Sequence, residues 1–204
     1  MARNIEEFKD VLVVEGYSDL LFYAEVLETV GKHPQVFIKE LGGKVELAKK
    51  LETFVNPALL AKKDAIGFIL DADTNPAATR SQMEQLLSKI TNQAVFDGSW
   101  TAGNPRIGLF IVPGGADQGE IESLVWKSWG NDPANAGHKE CIEDYVNCMA
   151  SKGAQAHSPD KGLIGALLAI QSDEDPRLGP GARTNVFDLQ RPELKALRDF
   201  LANF

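Results

Sequence analysis

The chain has 204 residues, 44% of them hydrophobic, and a formal net charge of −8, which suits one α/β domain and disfavours a protein that coats nucleic acid through charge. No apolar run approaches the roughly 18 residues of a membrane span, and the N-terminus lacks the apolar part of a secretory signal, so we expect a cytoplasmic protein without a membrane segment. Cys141 and Cys148 lie too far apart along a helical pattern for a disulfide, which fits a reducing compartment.

Short apolar runs alternate with helical patterns along the first half of the chain. Runs that are apolar at every position are typical of strands buried on both faces of a parallel sheet. The predicted strands are residues 11–14, 36–39, 66–70 and 107–112. The predicted helices are residues 18–30, 45–55, 76–91, 120–129, 138–151, 161–171 and 192–203, with a loop or hairpin at 93–105 and a loop at 172–184.

This alternation predicts an α/β fold of the Rossmann-like kind. We expect a mainly parallel four-stranded sheet flanked by helices in a core of about residues 10–115, and a helical C-terminal extension at about residues 116–204, within one domain. Ser18 and Asp160 are candidate N-caps of their helices, Gly31 is a candidate helix stop, and Pro76 suits a first helical turn.

Two of the predicted strands end abruptly in carboxylates. The stretch VLVVEGYSD (11–19) ends in Glu15 and Asp19, and FILDADTNP (68–76) carries Asp71 and Asp73. Ligands of open α/β sheets bind beyond the carboxyl ends of the strands. Carboxylates this close together need a cation or protons to neutralise them, and hard divalent ions prefer oxygen ligands. The sequence therefore predicts a Mg²⁺ or Mn²⁺ site at the strand ends.

Each of these residues also has a purely structural interpretation. Glu15 could be a solvated strand-end carboxylate, and Asp19 could complement the dipole of the following helix. Strand alternation would point Asp71 and Asp73 the same way, with Ala72 opposite, although an Asp-rich turn is the simpler alternative.

The motifs resemble a Toprim domain, the catalytic module of topoisomerases, primases and OLD-type nucleases. The resemblance is carried by VVEGYSD (13–19), by the turn Leu41-Gly42-Gly43-Lys44, and by the Asp71–Asp73 pair. Further along, PRIGLFIVPGG (105–115), GEIESL (119–124) and PDKGLIGALLA (159–169) resemble a small stand-alone Toprim-like family of uncharacterised proteins related to OLD-type nucleases. Together these motifs cover nearly the whole chain.

The resemblance implies one or two Mg²⁺ or Mn²⁺ ions serving phosphodiester chemistry. It implies a place for Glu122 among the metal ligands beside the strand-end carboxylates, and a role for Lys161 in stabilising charge on the phosphate. Surface residues are the alternative for both, and for Glu120. Glu15 could act as general base as well as ligand. The turn at Gly42, Gly43 and Lys44 could bring the backbone close to a substrate phosphate.

Three functions remain open. The first is a metal-dependent nuclease or related phosphotransferase acting on nucleic acid or a nucleotide. The second is a non-catalytic module that acts through a partner protein, such as a separate ATPase, since the chain has no phosphate-binding P-loop. The third is a haloacid-dehalogenase-type phosphatase with Asp71 as nucleophile, although Asn75 stands where that motif carries a threonine.

Overall fold

A mainly parallel sheet forms the centre of the protein. The computed structural model describes residues 4–43, 47–156, 158–172 and 175–204. Its strands are β1 (Asp10–Val14), β2 (Val36–Glu40), β3 (Ala65–Asp71), β4 (Ser99–Trp100) and β5 (Arg106–Val112). Within these described residues they form one sheet in the order β2-β1-β3-β5-β4.

The pairing of the strands confirms the predicted α/β fold. Strands β2, β1, β3 and β5 are parallel, and the two-residue β4 pairs antiparallel with β5. The added strand lies in the segment predicted as a loop or hairpin. Strand β1 lies directly beside β3, with Val13 opposite Phe68. The two acidic strand ends are therefore neighbours, as the metal-site prediction requires.

Helices cover both faces of the sheet. They are α1 (Tyr17–Thr29), α2 (Leu47–Phe54), α3 (Pro57–Leu60), α4 (Pro76–Thr91), α5 (Ile121–Gly130), α6 (Ala136–Ser151), α7 (Pro159–Gln171), α8 (Leu178–Arg183) and α9 (Lys195–Ala202). Short 3₁₀ turns occur at Ile5–Glu7, Pro133–Asn135 and Pro192–Leu194. None of the helices in the described part of the chain is long and apolar enough to cross a membrane. Cys141 and Cys148, on α6, are exposed free thiols, as predicted.

The alternation of side chains along the strands divides the apolar core into two clusters. Val11 and Val13 of β1 point to the face covered by α2 and α4, where they pack with Leu51 of α2. Leu12 and Val14 point to the opposite face, which is covered by α1, α5, α7, α8 and α9. Because successive residues of a strand face opposite sides, a continuous apolar run fills both clusters.

The helix starts differ in part from the sequence prediction. Ser18 is not the N-cap of α1, which begins after Gly16, and Asp19 Oδ2 accepts the Gly16 N–H at 2.8 Å. Asp160 is not the N-cap of α7 either, because the hydroxyl of Ser158 accepts the Lys161 N–H at 3.2 Å. In both helices the side chain that satisfies a first-turn N–H lies one or two residues from the expected one.

A helix also replaces part of the loop predicted at residues 172–184. Residues 178–183 form α8, whose sequence LGPGAR contains residues that disfavour helices. Gly179 packs directly on α1, where a Cβ atom added to it would lie 2.3 Å from Leu21 Cβ and 2.9 Å from Leu21 C. Gly181 packs similarly on Leu168 of α7. Close packing therefore outweighs local propensity in this segment.

The contact between α8 and α1 gives a stability prediction. We expect Gly179→Ala to lower the free energy of unfolding by about 2 kcal/mol, because the new methyl group meets the backbone of Leu21 and the helices must separate. The matched change Gly165→Ala, in α7, meets nothing within 4 Å and should be neutral or slightly stabilising. Urea denaturation of both variants tests this, and equal stabilities would contradict it.

Candidate functional site

Glu15 and Asp71 meet at the carboxyl ends of β1 and β3. Glu15 is 6% exposed, and its Oε1 accepts the backbone N–H of Asp71 at 3.0 Å. The carbonyl of Glu15 accepts the N–H of Gly43 at 2.8 Å, which joins the turn after β2 to the same point. A buried carboxylate needs such donors to offset the loss of hydration. The structure thus joins the two acidic strand ends through the side chain of Glu15 and the backbone of Asp71.

The carboxylate of Asp71 connects the sheet to helix α5. Its Oδ1 accepts the N–H of Ile121, the first residue of that helix, at 3.2 Å. The first N–H groups of a helix have no partner within the helix and lie at the positive end of its dipole, so a carboxylate is stabilised there. Asp71 is therefore oriented by α5 rather than by the strand alone.

Asp73 reaches the site by a different route from the one predicted. Strand β3 ends at Asp71, so strand alternation does not set the direction of Asp73, and the expected reason for pairing the two aspartates was wrong. Asp73 has a left-handed backbone with φ of 55° and exchanges two backbone hydrogen bonds with Gly119, at 2.9 and 2.8 Å. It nevertheless lines one cavity of about 330 Å³ together with Glu15, Asp71 and residues of α2 and α4.

Four carboxylates act electrostatically on the buried side chain of Tyr23. This residue of α1 is 2% exposed. Burial, and then the negative charges of nearby carboxylates, hold the pKa of its hydroxyl well above the usual value. The carboxylates that act on it are those of Asp71, Asp19, Glu122 and Glu15. Four of the five predicted metal ligands thus lie within electrostatic reach of one side chain.

Lys161 lies beside two buried glutamates at the start of α5. Its ammonium group donates to the carboxylate of Glu120 and lies 3.6 Å from Oε2 of Glu122. Burial lowers the pKa of Lys161, but the hydrogen bond to Glu120 and the charge of Glu122 outweigh it and the pKa is raised. The interpretation of Glu122 as a surface residue is therefore wrong, whereas Lys161 is a partly exposed lysine held in an ion pair; the chemical roles of both stay predictions.

Glu120 is the residue whose burial the sequence prediction missed. It was expected at the surface, yet it is 8% exposed and accepts hydrogen bonds from the Ser158 hydroxyl and from Lys161. A second link joins the same helix starts, because the Ser123 hydroxyl donates to Asp160. The available signal was the pair of short polar segments, residues 119–123 and 158–161, that each precede an apolar helix. These contacts fix α7 against α5 and hold Lys161 in place.

The glycine turn after β2 has the predicted backbone but uses its own N–H groups. Gly42 and Gly43 have φ of 74° and 83°, a region that favours glycine. The Gly42 N–H donates to Glu40 at 2.7 Å, and the Gly43 N–H to the Glu15 carbonyl, so a phosphate would have to compete for both. Lys44, the third predicted residue of this turn, lies outside the described residues.

The donor chemistry of the site fits a hard divalent cation, although its side chains are spread apart. Among the described residues, no group of three or more His, Cys, Asp or Glu is close enough together to hold a metal ion. One buried oxygen, Oε2 of Glu122, has no hydrogen-bond partner in the described structure. Carboxylate oxygens around one strand edge are the ligands that Mg²⁺ and Mn²⁺ take. Binding would require the carboxylates to rotate toward one another.

The chain belongs to the family described as "Protein of unknown function (DUF3226)", whose profile matches residues 9–204. It matches no curated protein in sequence. In fold it is similar to the C-terminal region of the OLD protein of Xanthomonas campestris pv. campestris, solved with mercury and with iodine phasing. Each of these two structures has a TM-score of 0.51 and 13% identity, over 96% of this chain and 95% of that chain. A platinum-phased structure gives 0.51 and 12%, over 98% and 94%.

The buried position of Glu122 predicts how stability depends on pH. Burial raises the pKa of Glu122, with Glu120 and Asp19 adding to the effect and Lys161 opposing it. A carboxyl whose pKa is higher in the folded state binds its proton more tightly there, so it costs stability as pH rises above its ordinary value of 4.5. We expect Glu122→Gln, in EDTA, to gain about 1 kcal/mol over wild type by pH 8 and little at pH 4.

Urea denaturation across this pH range measures the effect, and Glu140→Gln, an exposed residue of α6, is the matched control for losing one negative charge. A Glu122→Gln variant that is less stable than wild type at pH 8 would contradict the prediction.

Proposed function

We propose that the protein is a Mg²⁺- or Mn²⁺-dependent enzyme that cleaves phosphodiester bonds, with a Toprim-like site. The observation that carries this proposal is the contact between Glu15 and the backbone of Asp71 at the carboxyl ends of adjacent parallel strands. Ligands of open α/β sheets bind at this edge. The fold similarity to a region of the OLD protein supports the same reading, since the sequence motifs resemble those of OLD-type nucleases.

In this proposal Glu15, Asp71 and Asp73 would hold the cation, since all three line one cavity. Asp19 and Glu122, whose charges act on Tyr23, would add two further carboxylates to this site. A bound divalent ion would neutralise phosphate charge and lower the pKa of a coordinated water. The protein's own contribution is to fix the carboxylates, which it does through the N–H groups of Asp71, Ile121 and Gly16.

Glu15 and Lys161 are the residues we assign to chemistry. In this proposal the carboxylate of Glu15 would accept a proton from the attacking water, a role that requires a carboxylate close to the reacting oxygen. Lys161 is half-exposed, and its ammonium group is bound to Glu120 and lies 3.6 Å from the carboxylate of Glu122. A cation fixed at that place would stabilise negative charge that develops on the phosphate.

A non-catalytic module is the second candidate. The separation of the carboxylates in the described residues favours it because it does not suit tight binding of a metal ion. The net charge of −8 favours it because it does not suit tight binding of a polyanion. The OLD structures are those of a C-terminal region, which suggests that this chain could work with a separate protein, such as an ATPase. A phosphatase with Asp71 as nucleophile gains less support, because Asp71 shares its cavity with Glu15 and Asp73.

The first functional prediction concerns the cation. Mn²⁺ or Mg²⁺ should raise the melting temperature, because the ion binds the folded chain in preference to the unfolded one. The double variant Asp71→Asn with Asp73→Asn should lose this rise, as measured by differential scanning fluorimetry. In EDTA the double variant should be at least as stable as wild type, because repulsion with Glu15 is relieved. An undiminished rise in the variant would remove the metal from these residues.

The second functional prediction concerns catalysis. Glu15→Gln should lower Mn²⁺-dependent cleavage of single-stranded DNA by about 100-fold or more, the scale of losing a general base. Lys161→Ala should slow cleavage while leaving the metal-induced rise in melting temperature intact, because its proposed contact is with the phosphate. The exposed changes Glu140→Gln and Lys152→Ala are matched controls. Absence of cleavage by wild type with every metal and substrate would favour the non-catalytic module.

A further inference from the structure

A cavity of about 770 Å³ beside the edge strand β2 concentrates basic residues in an otherwise acidic protein. We call it the lysine cleft. Among the described residues, Glu6 and Glu40 are the acidic ones that line it. The lysines that line it are Lys39, Lys49, Lys50, Lys62 and Lys63. An excess of lysines in a concave surface attracts anions and concentrates the field there.

Three of these lysines make hydrogen bonds or ion pairs with neighbouring residues of the protein. Lys63 is 3% exposed and donates to the carbonyls of Ile5 and Phe8, both at 2.5 Å, and Lys62 pairs with Glu6 at 3.1 Å. Lys50 donates to the carbonyl of Gly42 at 3.0 Å. These three lysines stabilise the walls of the cleft.

The other two lysines that line the cleft are Lys39 on β2 and Lys49 on α2. The Lys39 side chain has no ion-pair or hydrogen-bond partner in the described part of the chain. Lys49 is exposed on α2. We assign contact with a ligand to Lys39, on the edge strand, and to Lys49, because it is exposed on the helix that forms one wall of the cleft.

The walls between the lysines are apolar. Leu41, Phe54 and Leu59 line the cleft, and each is only partly buried against the apolar cluster on this face of the sheet. A groove that combines positive charge with apolar side chains suits an anion that also carries flat apolar groups. Nucleic-acid strands with unpaired bases have this composition, and proteins bind them through basic grooves with aromatic or apolar platforms.

The cleft adjoins the carboxylate site, which is the cavity lined by Glu15, Asp71 and Asp73. Gly42 lines the cleft, and the next residue, Gly43, donates its N–H to the carbonyl of Glu15. Helix α2 contributes to both cavities, with Leu47 and Ala48 in the carboxylate cavity and Lys49 in the lysine cleft. A ligand that occupies the cleft would therefore extend toward the acidic strand ends.

We propose that the lysine cleft binds the flanking segment of a single-stranded nucleic acid whose scissile phosphate lies at the carboxylate site. This inference rests on the proposed function for the position of the scissile bond, and it adds the substrate class. A single strand fits better than a duplex, because unpaired bases can contact Leu41, Phe54 and Leu59. A duplex exposes mainly phosphates and needs a broad basic surface, which a chain with a net charge of −8 does not favour.

The test measures binding in EDTA, so that it does not depend on cleavage. Fluorescence anisotropy would follow a labelled dT12 strand and a 12-base-pair duplex across a series of salt concentrations. We expect the double variant Lys39→Gln with Lys49→Gln to bind dT12 about tenfold more weakly at low salt. The slope of log affinity against log salt should fall by about 1.4, since each lost contact with a single strand removes about 0.7. The matched control is Lys89→Gln with Lys152→Gln, which should bind like wild type.

The outcomes separate this inference from the proposed function. Weaker binding and the smaller slope in the cleft variant alone support the inference, whether or not wild type cleaves DNA. Equal effects in the cleft and control variants would overturn it, even if cleavage is observed. A duplex that binds as tightly as dT12 would also overturn the inference, in favour of duplex binding. AMP that competes with dT12 at equal concentration would overturn it in favour of mononucleotide binding. Thermal melting of all variants checks that they are folded.

Discussion

The arrangement of carboxylates at the ends of β1 and β3 depends on one interaction, the hydrogen bond from the Asp71 N–H to the Glu15 carboxylate. Burying an unpaired carboxylate costs several kcal/mol, on the order of 5, so Glu15 can remain there only while a donor faces it. That donor is available because β1 and β3 are adjacent and parallel, and β3 continues to Asp71, past the last residue of β1. The Gly43 N–H binds the carbonyl of Glu15, and the first N–H of α5 binds the carboxylate of Asp71. The contact between Glu15 and Asp71 is therefore joined both to the turn after β2 and to α5.

The two strand-end carboxylates come from opposite faces of the sheet. Val14, the last residue of β1, faces the α1 side, and Glu15 after it lines the cavity against α2 and α4. Ile69 faces the α1 side, and Asp71, two residues later, alternates to that side and accepts the N–H of Ile121. Side chains on opposite faces of a sheet are separated by its backbone. They can share a ligand only beyond the last residues of the strands, which explains why the site lies at this edge.

The sequence was sufficient for the four parallel strands and most helices, because these depend on local apolar pattern. The helix predicted at residues 76–91 is observed as Pro76–Thr91, with its proline at the first turn. Helix α8 was missed because Gly179 and Gly181 disfavour helices locally, and their value lies in close contact with Leu21 and Leu168. The burial of Glu120 was missed for a similar reason, since its partners Ser158 and Lys161 are distant in sequence. Tertiary packing decided both.

The charge distribution around the site separates what the fold itself neutralises from what it leaves for a ligand. On the α1 side, Lys161 offsets Glu120 and part of the charge of Glu122, and these residues also join α5 to α7. Beyond the strand ends, Glu15, Asp71 and Asp73 line one cavity, and no lysine is among the described residues that line it. Like charges at short range raise one another's pKa or attract a cation. The fold therefore balances the charges that hold its helices together and concentrates the remaining negative charge where the strands end.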